Sequence, residues 1–105
     1  VQGRDARTGR PTAIVNHADV RRMLLTMKSL TMAARGVAYS VAGSLDVATH
    51  APSADDRRAA AARAELLTPV VKAWCTEVGI EVTSLAVQTL GGMGYTEDAG
   101  AAQCY

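Results

Sequence analysis

The sequence predicts an all-α chain of two long antiparallel helices, which would form part of an up-down four-helix bundle. Three observations support this class. Two long stretches carry apolar residues at helical spacing, a short proline-containing turn separates them, and 49% of the residues are apolar although only 4% are aromatic. Such a composition favours helices that pack closely through small side chains. Two helices leave wide apolar faces uncovered, so we expect further helices from the rest of a longer protein or from a second copy.

The first helix is predicted over about residues 17–48, after a polar and irregular lead-in over residues 1–15. Asn16 is expected to be its N-cap, and Asp19 places a carboxylate in the first turn, where the helix dipole favours it. Apolar residues then recur with the i, i+3, i+4, i+7 rhythm of one buried face. They are Val20, Met23, Leu24, Met27, Leu30, Ala34, Val37, Ala38, Val41 and Leu45.

The second helix is predicted over about residues 55–90, after a turn at residues 49–54 where Pro52 blocks continuation. Either Ser53 or Asp55 can cap it. Pro69 predicts a kink or a break, because it removes one hydrogen bond and clashes with the carbonyl of the residue four positions earlier. The apolar residues on its buried face are Leu66, Leu67, Val70, Val71, Trp74, Val78, Val82, Leu85 and Ala86.

Charge, hydropathy and cysteine content exclude several classes of function. Lys and Arg (11) nearly balance Asp and Glu (10), so nothing in the net charge of +1 predicts binding to nucleic acid. No run approaches about 18 apolar residues, and no membrane span is expected. Two cysteines do not make a disulfide framework, which favours a cytoplasmic setting.

No metal site and no catalytic residue are predicted. His17 and His50 flank the first helix and would lie about 48 Å apart, too far to share a metal ion. We expect both to be solvent-exposed histidines at helix ends. Ser, His and acidic residues are present but form no nucleophile motif.

The segment that ends the second helix is the strongest candidate for a binding site. It reads Gln88-Thr-Leu-Gly91-Gly92-Met-Gly94-Tyr95, with three glycines in four residues. Two interpretations remain open: a glycine C-cap, or a loop that lets a flat ligand approach the backbone. Gln88 lies one turn back and has an amide that can both donate and accept. Asp98 is a candidate cap for a short following helix.

This segment resembles the Q-x-x-G-G-x-G-[YF] motif of acyl-CoA dehydrogenases. The residues at 17–28 and 66–75 are similar to a bacterial subgroup that includes 3-methylmercaptopropionyl-CoA dehydrogenase-like enzymes. The resemblance covers residues 1–105 and implies part of the C-terminal helical domain of that family. Residues 99–103 depart from the Pro-Val-Glu-Arg stretch that is common in better-known members.

The resemblance implies a parent enzyme that holds FAD and oxidises the Cα–Cβ bond of an acyl-CoA. Gln88, Gly91 and Gly92 would contact an FAD bound mainly by a neighbouring subunit, and Gln2 is a further candidate. The resemblance also implies a homodimer or homotetramer, with an electron-transferring flavoprotein as electron acceptor. The glutamate that acts as the base would lie beyond Tyr105, so this chain alone is expected to be inactive. The alternative is a helical interaction or structural module with no catalytic role.

Overall fold

The computed structural model describes residues 3–105, which are helical apart from turns and one isolated bridge. Helix α1 comprises Ala18–His50 and helix α2 comprises Ala54–Leu90. Four short 3-10 helices cover Ile14–Asn16, Gly91–Tyr95, Glu97–Ala99 and Ala102–Cys104. The prediction of an all-α chain with two long helices is therefore confirmed. The chain separates into two compact units, one of residues 30–79 and one that combines the described residues up to Ser29 with Ile80–Tyr105.

The unit of residues 30–79 contains the end of α1 and the beginning of α2, which run antiparallel. Arg63 on α2 donates from Nη2 to Oγ of Ser40 on α1, at 3.4 Å, and the Cys75 thiol lies 3.9 Å from the carbonyl oxygen of Ala34. The buried residues are small or β-branched, and Ala64 is only 2% exposed. The helices therefore pack through small side chains, as the composition predicts. The other buried residues of this unit are Val41, Val78 and Ser44.

The turn between the helices is held by side chains from the start of α2. Oγ of Ser53 accepts from the backbone N–H of Asp56, at 3.3 Å, so Ser53 rather than Asp55 is the cap. Arg57 donates from Nη1 to the carbonyl oxygens of Ala51 (2.6 Å) and Pro52 (3.0 Å). These bonds satisfy carbonyl groups that the end of α1 leaves without helical partners.

Pro69 does not break α2, because the helix continues without interruption from Ala54 to Leu90. Of the two predicted outcomes at Pro69, the break is therefore wrong, and the kink stays a prediction. A proline removes one backbone hydrogen bond, whereas the helical bonds on both sides remain.

Several large apolar residues that the periodicity places on buried faces are exposed in this chain. Leu66 on α2 is 71% exposed, and Val70 one turn later is also exposed. The same is true of Leu45 on α1. In the unit of residues 30–79 the buried side chains are small or β-branched, whereas these larger apolar side chains are exposed among the described residues. These exposed faces agree with the expectation that two helices are an incomplete bundle.

The lead-in is more ordered than predicted. Arg4 and Pro11 form an antiparallel bridge, and the Asp5 carboxylate closes the loop between them. Its Oδ1 accepts from the backbone N–H of Thr8 (2.7 Å), from the Thr8 hydroxyl (3.0 Å) and from the backbone N–H of Arg7 (2.9 Å). These bonds, the Thr8 backbone N–H first among them, lower the pKa of Asp5 below its ordinary value. Residues 3–12 thus form a closed loop rather than an irregular segment.

The start of α1 also differs from the prediction. Asn16 is not the N-cap: it lies in the 3-10 helix that precedes α1, and its Nδ2 donates to Oγ1 of Thr12 at 2.7 Å. His17 is not a freely exposed side chain, because its Nε2 is buried and has no hydrogen-bond partner among the described residues. It lies against Gly3, where an added Cβ would be 2.7 Å from that nitrogen. Gln2 lies outside the described residues.

Candidate functional site

Gly91 ends α2 by adopting the left-handed conformation. Its φ is +61°, which costs a glycine nothing and costs other residues about 1–2 kcal/mol. The backbone then turns into the 3-10 helix Gly91–Tyr95 instead of continuing along α2. At Gly91, therefore, the C-cap interpretation is confirmed.

Gly94 is required for a different reason, which is steric. It is buried, and a Cβ at this position would lie 2.2 Å from the carbonyl oxygen of Val87 and 2.9 Å from its Cα. No real Cβ comes so close to backbone atoms, so only glycine fits. The close approach packs the 3-10 helix against the last turn of α2.

This packing brings Tyr95 next to Gln88. The amide Nε2 of Gln88 donates to the phenolic oxygen of Tyr95 at 2.7 Å. The N–H and the hydroxyl of Thr96 both bond to the carbonyl oxygen of Met93, at 3.1 Å and 2.8 Å, and fix the end of the segment. The amide of Gln88 is thus held by a side chain seven residues later, and its carbonyl oxygen remains available to accept.

Among the three glycines of this segment, Gly92 is the one that neither a left-handed backbone nor a close contact explains. Its φ lies outside the left-handed region, it is exposed, and an added Cβ would meet nothing within 4 Å. Neither backbone conformation nor contact with residues 3–105 excludes a side chain here. A glycine at this position therefore leaves open backbone that something outside the chain can approach.

Two cavities meet at Gln88. One, of about 200 Å³, is lined by Ser84, Val87, Gln88, Tyr95, Ala102 and Tyr105. The other, an open cleft of about 580 Å³, is lined by Ala13, Ile14, Val20, Met23, Gln88, Thr89, Leu90, Gly91 and Met93.

No charged side chain lines either cavity. The partial negative charge at the C-terminal end of α2 also disfavours a phosphate. The lining is apolar with a few hydroxyl and amide groups, which suits a flat, uncharged ring with hydrogen-bonding edges. Among residues 3–105 no group of three His, Cys, Asp or Glu residues could hold a metal ion.

The structure places Gln88 and Gly91 in the lining of the larger cleft. Gly92 lines neither cavity, although its neighbours Gly91 and Met93 line the larger one. Tyr95 is the functional candidate that the sequence prediction did not identify. The motif includes its position, but a seven-residue separation gave no sign of contact with Gln88. That contact depends on the reversed backbone at Gly91 and the close approach at Gly94.

Comparison with known proteins gives a family for this site and fold. The family model for the acyl-CoA dehydrogenase C-terminal domain matches residues 3–105. The chain is 50% identical over 92 residues to a 3-methylmercaptopropionyl-CoA dehydrogenase of Ruegeria pomeroyi, which covers 88% of this chain and 16% of that protein. It is 32% identical over 90 residues to a butyryl-CoA dehydrogenase of Syntrophomonas wolfei, covering 86% of this chain and 15% of that protein. No solved structure matches the chain significantly.

The chain belongs to the acyl-CoA dehydrogenase family, in the part that the C-terminal domain model describes. The similarity to the Ruegeria pomeroyi protein agrees with the subgroup that the two helix sequences indicated. The chain spans about one sixth of the length of the curated relatives that it matches. Within the described residues, neither long helix has an apolar stretch sufficient to cross a membrane.

Proposed function

We propose that this chain is part of an FAD-dependent acyl-CoA dehydrogenase and that its Gln88, Gly91 and Gly92 form one wall of the FAD site. The observation that supports this most is the position of Gly92, which is exposed, would have space for a Cβ, and lies between two residues that line the larger cleft, Gly91 and Met93. A Cβ there would occupy the space that an approaching ring needs. The residues present fit the uncharged part of a dinucleotide, because the lining carries amide and hydroxyl groups but no charge.

In this proposal Gln88 supplies the polar contact and Gly91 the shape of the wall. The carbonyl oxygen of Gln88 would accept from a hydroxyl or amine of the cofactor, since its amide nitrogen already donates to Tyr95. Gly91 and Gly92 would let the cofactor lie directly against the main chain. Gln2 remains a candidate contact outside the described residues.

The remaining parts of the proposal concern the parent protein. When bound, FAD supplies a two-electron acceptor that takes a hydride from the acyl chain. We propose an acyl-CoA thioester as substrate, a base that lies outside this chain, a homodimer or homotetramer, and an electron-transferring flavoprotein as acceptor. A cytoplasmic setting is also proposed, in keeping with the two free cysteines, Cys75 and Cys104. The role of this chain is then to contact FAD and to pack against other subunits.

The test is flavin binding by the full-length parent protein. The wild-type protein should purify with FAD, and Gln88→Ala should raise the dissociation constant of FAD about three- to tenfold, as expected for one lost hydrogen bond. Gln103→Ala is the matched control, because Gln103 is also exposed but lines neither cavity. A parent protein that neither purifies with FAD nor binds it would contradict the proposal and favour a non-catalytic helical module.

A further inference from the structure

The hydrogen bond between Gln88 and Tyr95 goes beyond a contact within a turn. We infer that Tyr95 is a positioning residue, which holds the Gln88 amide in the orientation that binds the cofactor. The inference rests on the proposed function, because it concerns the same wall of the FAD site. Tyr95 would affect cofactor binding through Gln88 and would need no contact with the cofactor itself.

The geometry explains why this partner is fixed. The left-handed backbone of Gly91 reverses the chain, and the missing side chain of Gly94 allows the backbone to pack against Val87. Tyr95 therefore lies close to the last turn of α2. The phenolic oxygen then accepts from Nε2 of Gln88 at 2.7 Å. Two constraints that are independent of the cofactor, at Gly91 and Gly94, thus place the acceptor before any ligand binds.

The energetic consequence follows from side-chain entropy. An exposed glutamine samples several rotamers, and immobilising such a side chain on binding weakens affinity by about three- to tenfold. Tyr95 orders the amide before binding, so the bound state does not need to do so. The bond uses one of the two N–H groups of the Gln88 amide, and the carbonyl oxygen of that amide can still accept a hydrogen bond.

Removal of one oxygen atom tests the inference. In the full-length protein, Tyr95→Phe should raise the dissociation constant of FAD about three- to tenfold, measured by titrating the apoprotein with FAD and following flavin fluorescence. The matched control is Tyr39→Phe. Tyr39 is as exposed as Tyr95 (65% against 66%) and its phenolic oxygen also accepts from a side chain of its own segment, Arg35, at 3.4 Å. Tyr39→Phe should leave the dissociation constant unchanged.

A double-mutant cycle separates positioning from other roles. In a Gln88→Ala background, Tyr95→Phe should have no further effect on FAD affinity, because the side chain that it positions is gone. An equal loss in both backgrounds would overturn the inference, since Tyr95 would then act directly or through the fold. The thermal midpoint of the apoprotein, which should be unchanged in Tyr95→Phe, checks for a general loss of folding.

The same data distinguish failure of this inference from failure of the proposed function. If Gln88→Ala weakens FAD binding and Tyr95→Phe does not, the positioning role is wrong and the contact made by Gln88 stands. If Gln88→Ala itself leaves FAD affinity unchanged, the proposed contact is wrong and the positioning role is overturned with it.

Discussion

The amide nitrogen of Gln88 and the phenolic oxygen of Tyr95 are 2.7 Å apart across the turn that ends α2. Two glycines make this relationship possible in different ways: Gly91 through its left-handed backbone and Gly94 through its contact with Val87. Gly92 takes part in neither. Substitution at each position can therefore separate the backbone role of Gly91 from the steric role of Gly94.

Gly94→Ala should destabilise the protein. The new Cβ would lie 2.2 Å from the carbonyl oxygen of Val87, so the 3-10 helix must move away from α2. Overpacking of this kind costs about 1–3 kcal/mol in the free energy of unfolding, measured by urea denaturation. Gly36→Ala is the control, because a Cβ there meets nothing within 4 Å and should stabilise α1 by about 0.5–1 kcal/mol. Equal stabilities of the two variants would contradict the steric role of Gly94.

Gly91→Ala should cost about 1–2 kcal/mol in the free energy of unfolding, because alanine resists a φ of +61°. Gly91→Asn should cost less, since asparagine tolerates the left-handed conformation better than alanine does. No Cβ clash is expected at this position, where nothing lies within 4 Å. If alanine and asparagine were equally destabilising, the backbone conformation would not be the reason for glycine at residue 91.

The loop closed by Asp5 should open on acidification. Hydrogen bonds, the Thr8 backbone N–H first among them, lower the pKa of Asp5 in the folded chain. The stabilisation is therefore fully present above the unfolded pKa of about 3.9 and is lost as the pH falls through the lower, folded pKa. NMR titration should show the amide protons of Arg7 and Thr8 shifting with a midpoint below about 3.9. In the Asp5→Asn control, the amide chemical shifts of Arg7 and Thr8 should not depend on pH in this range. A wild-type midpoint at or above the ordinary aspartate pKa of about 3.9 would contradict the prediction.

The isolated chain should self-associate through its exposed apolar faces. Leu66 and Val70 lie one turn apart on α2 and are both exposed, and side chains of this size gain free energy when a second copy covers them. Sedimentation velocity should show a dimer or larger species that Leu66→Gln weakens. Glu65→Gln is the control, since it changes an exposed neighbour that is already polar. A compact monomer at every protein concentration would show that these faces need no partner.

Helix periodicity allowed most of the fold to be predicted. The first helix was expected over about 17–48 and comprises Ala18–His50, and the second was expected over about 55–90 and comprises Ala54–Leu90. Apolar spacing and terminal turn residues are local signals, and they fix such bounds well. The error at His17 concerns a contact with a distant residue. His17 lies against Gly3, and residues fourteen positions apart outside a helix leave no periodic trace.

The candidate site could be located from the sequence, but the role of each residue in it could not be predicted. Three glycines near Gln88 marked the segment, and the C-cap and ligand-approach interpretations could not be separated. The structure supports the C-cap interpretation at Gly91, which has the left-handed backbone conformation. At Gly92 it shows open space for a Cβ, and the approach of a ligand there stays a prediction. The role of Gly94 depends on how close the Val87 carbonyl comes, which composition and spacing do not specify.

The most direct test of the central claim is an experimental structure of the full-length parent protein with FAD bound. The account predicts that atoms of FAD lie within about 4 Å of the backbone of Gly92, with the Gln88 carbonyl oxygen at hydrogen-bonding distance from a donor of the cofactor. A structure in which protein side chains cover Gly92 and Gln88, and in which FAD lies elsewhere, would contradict the account.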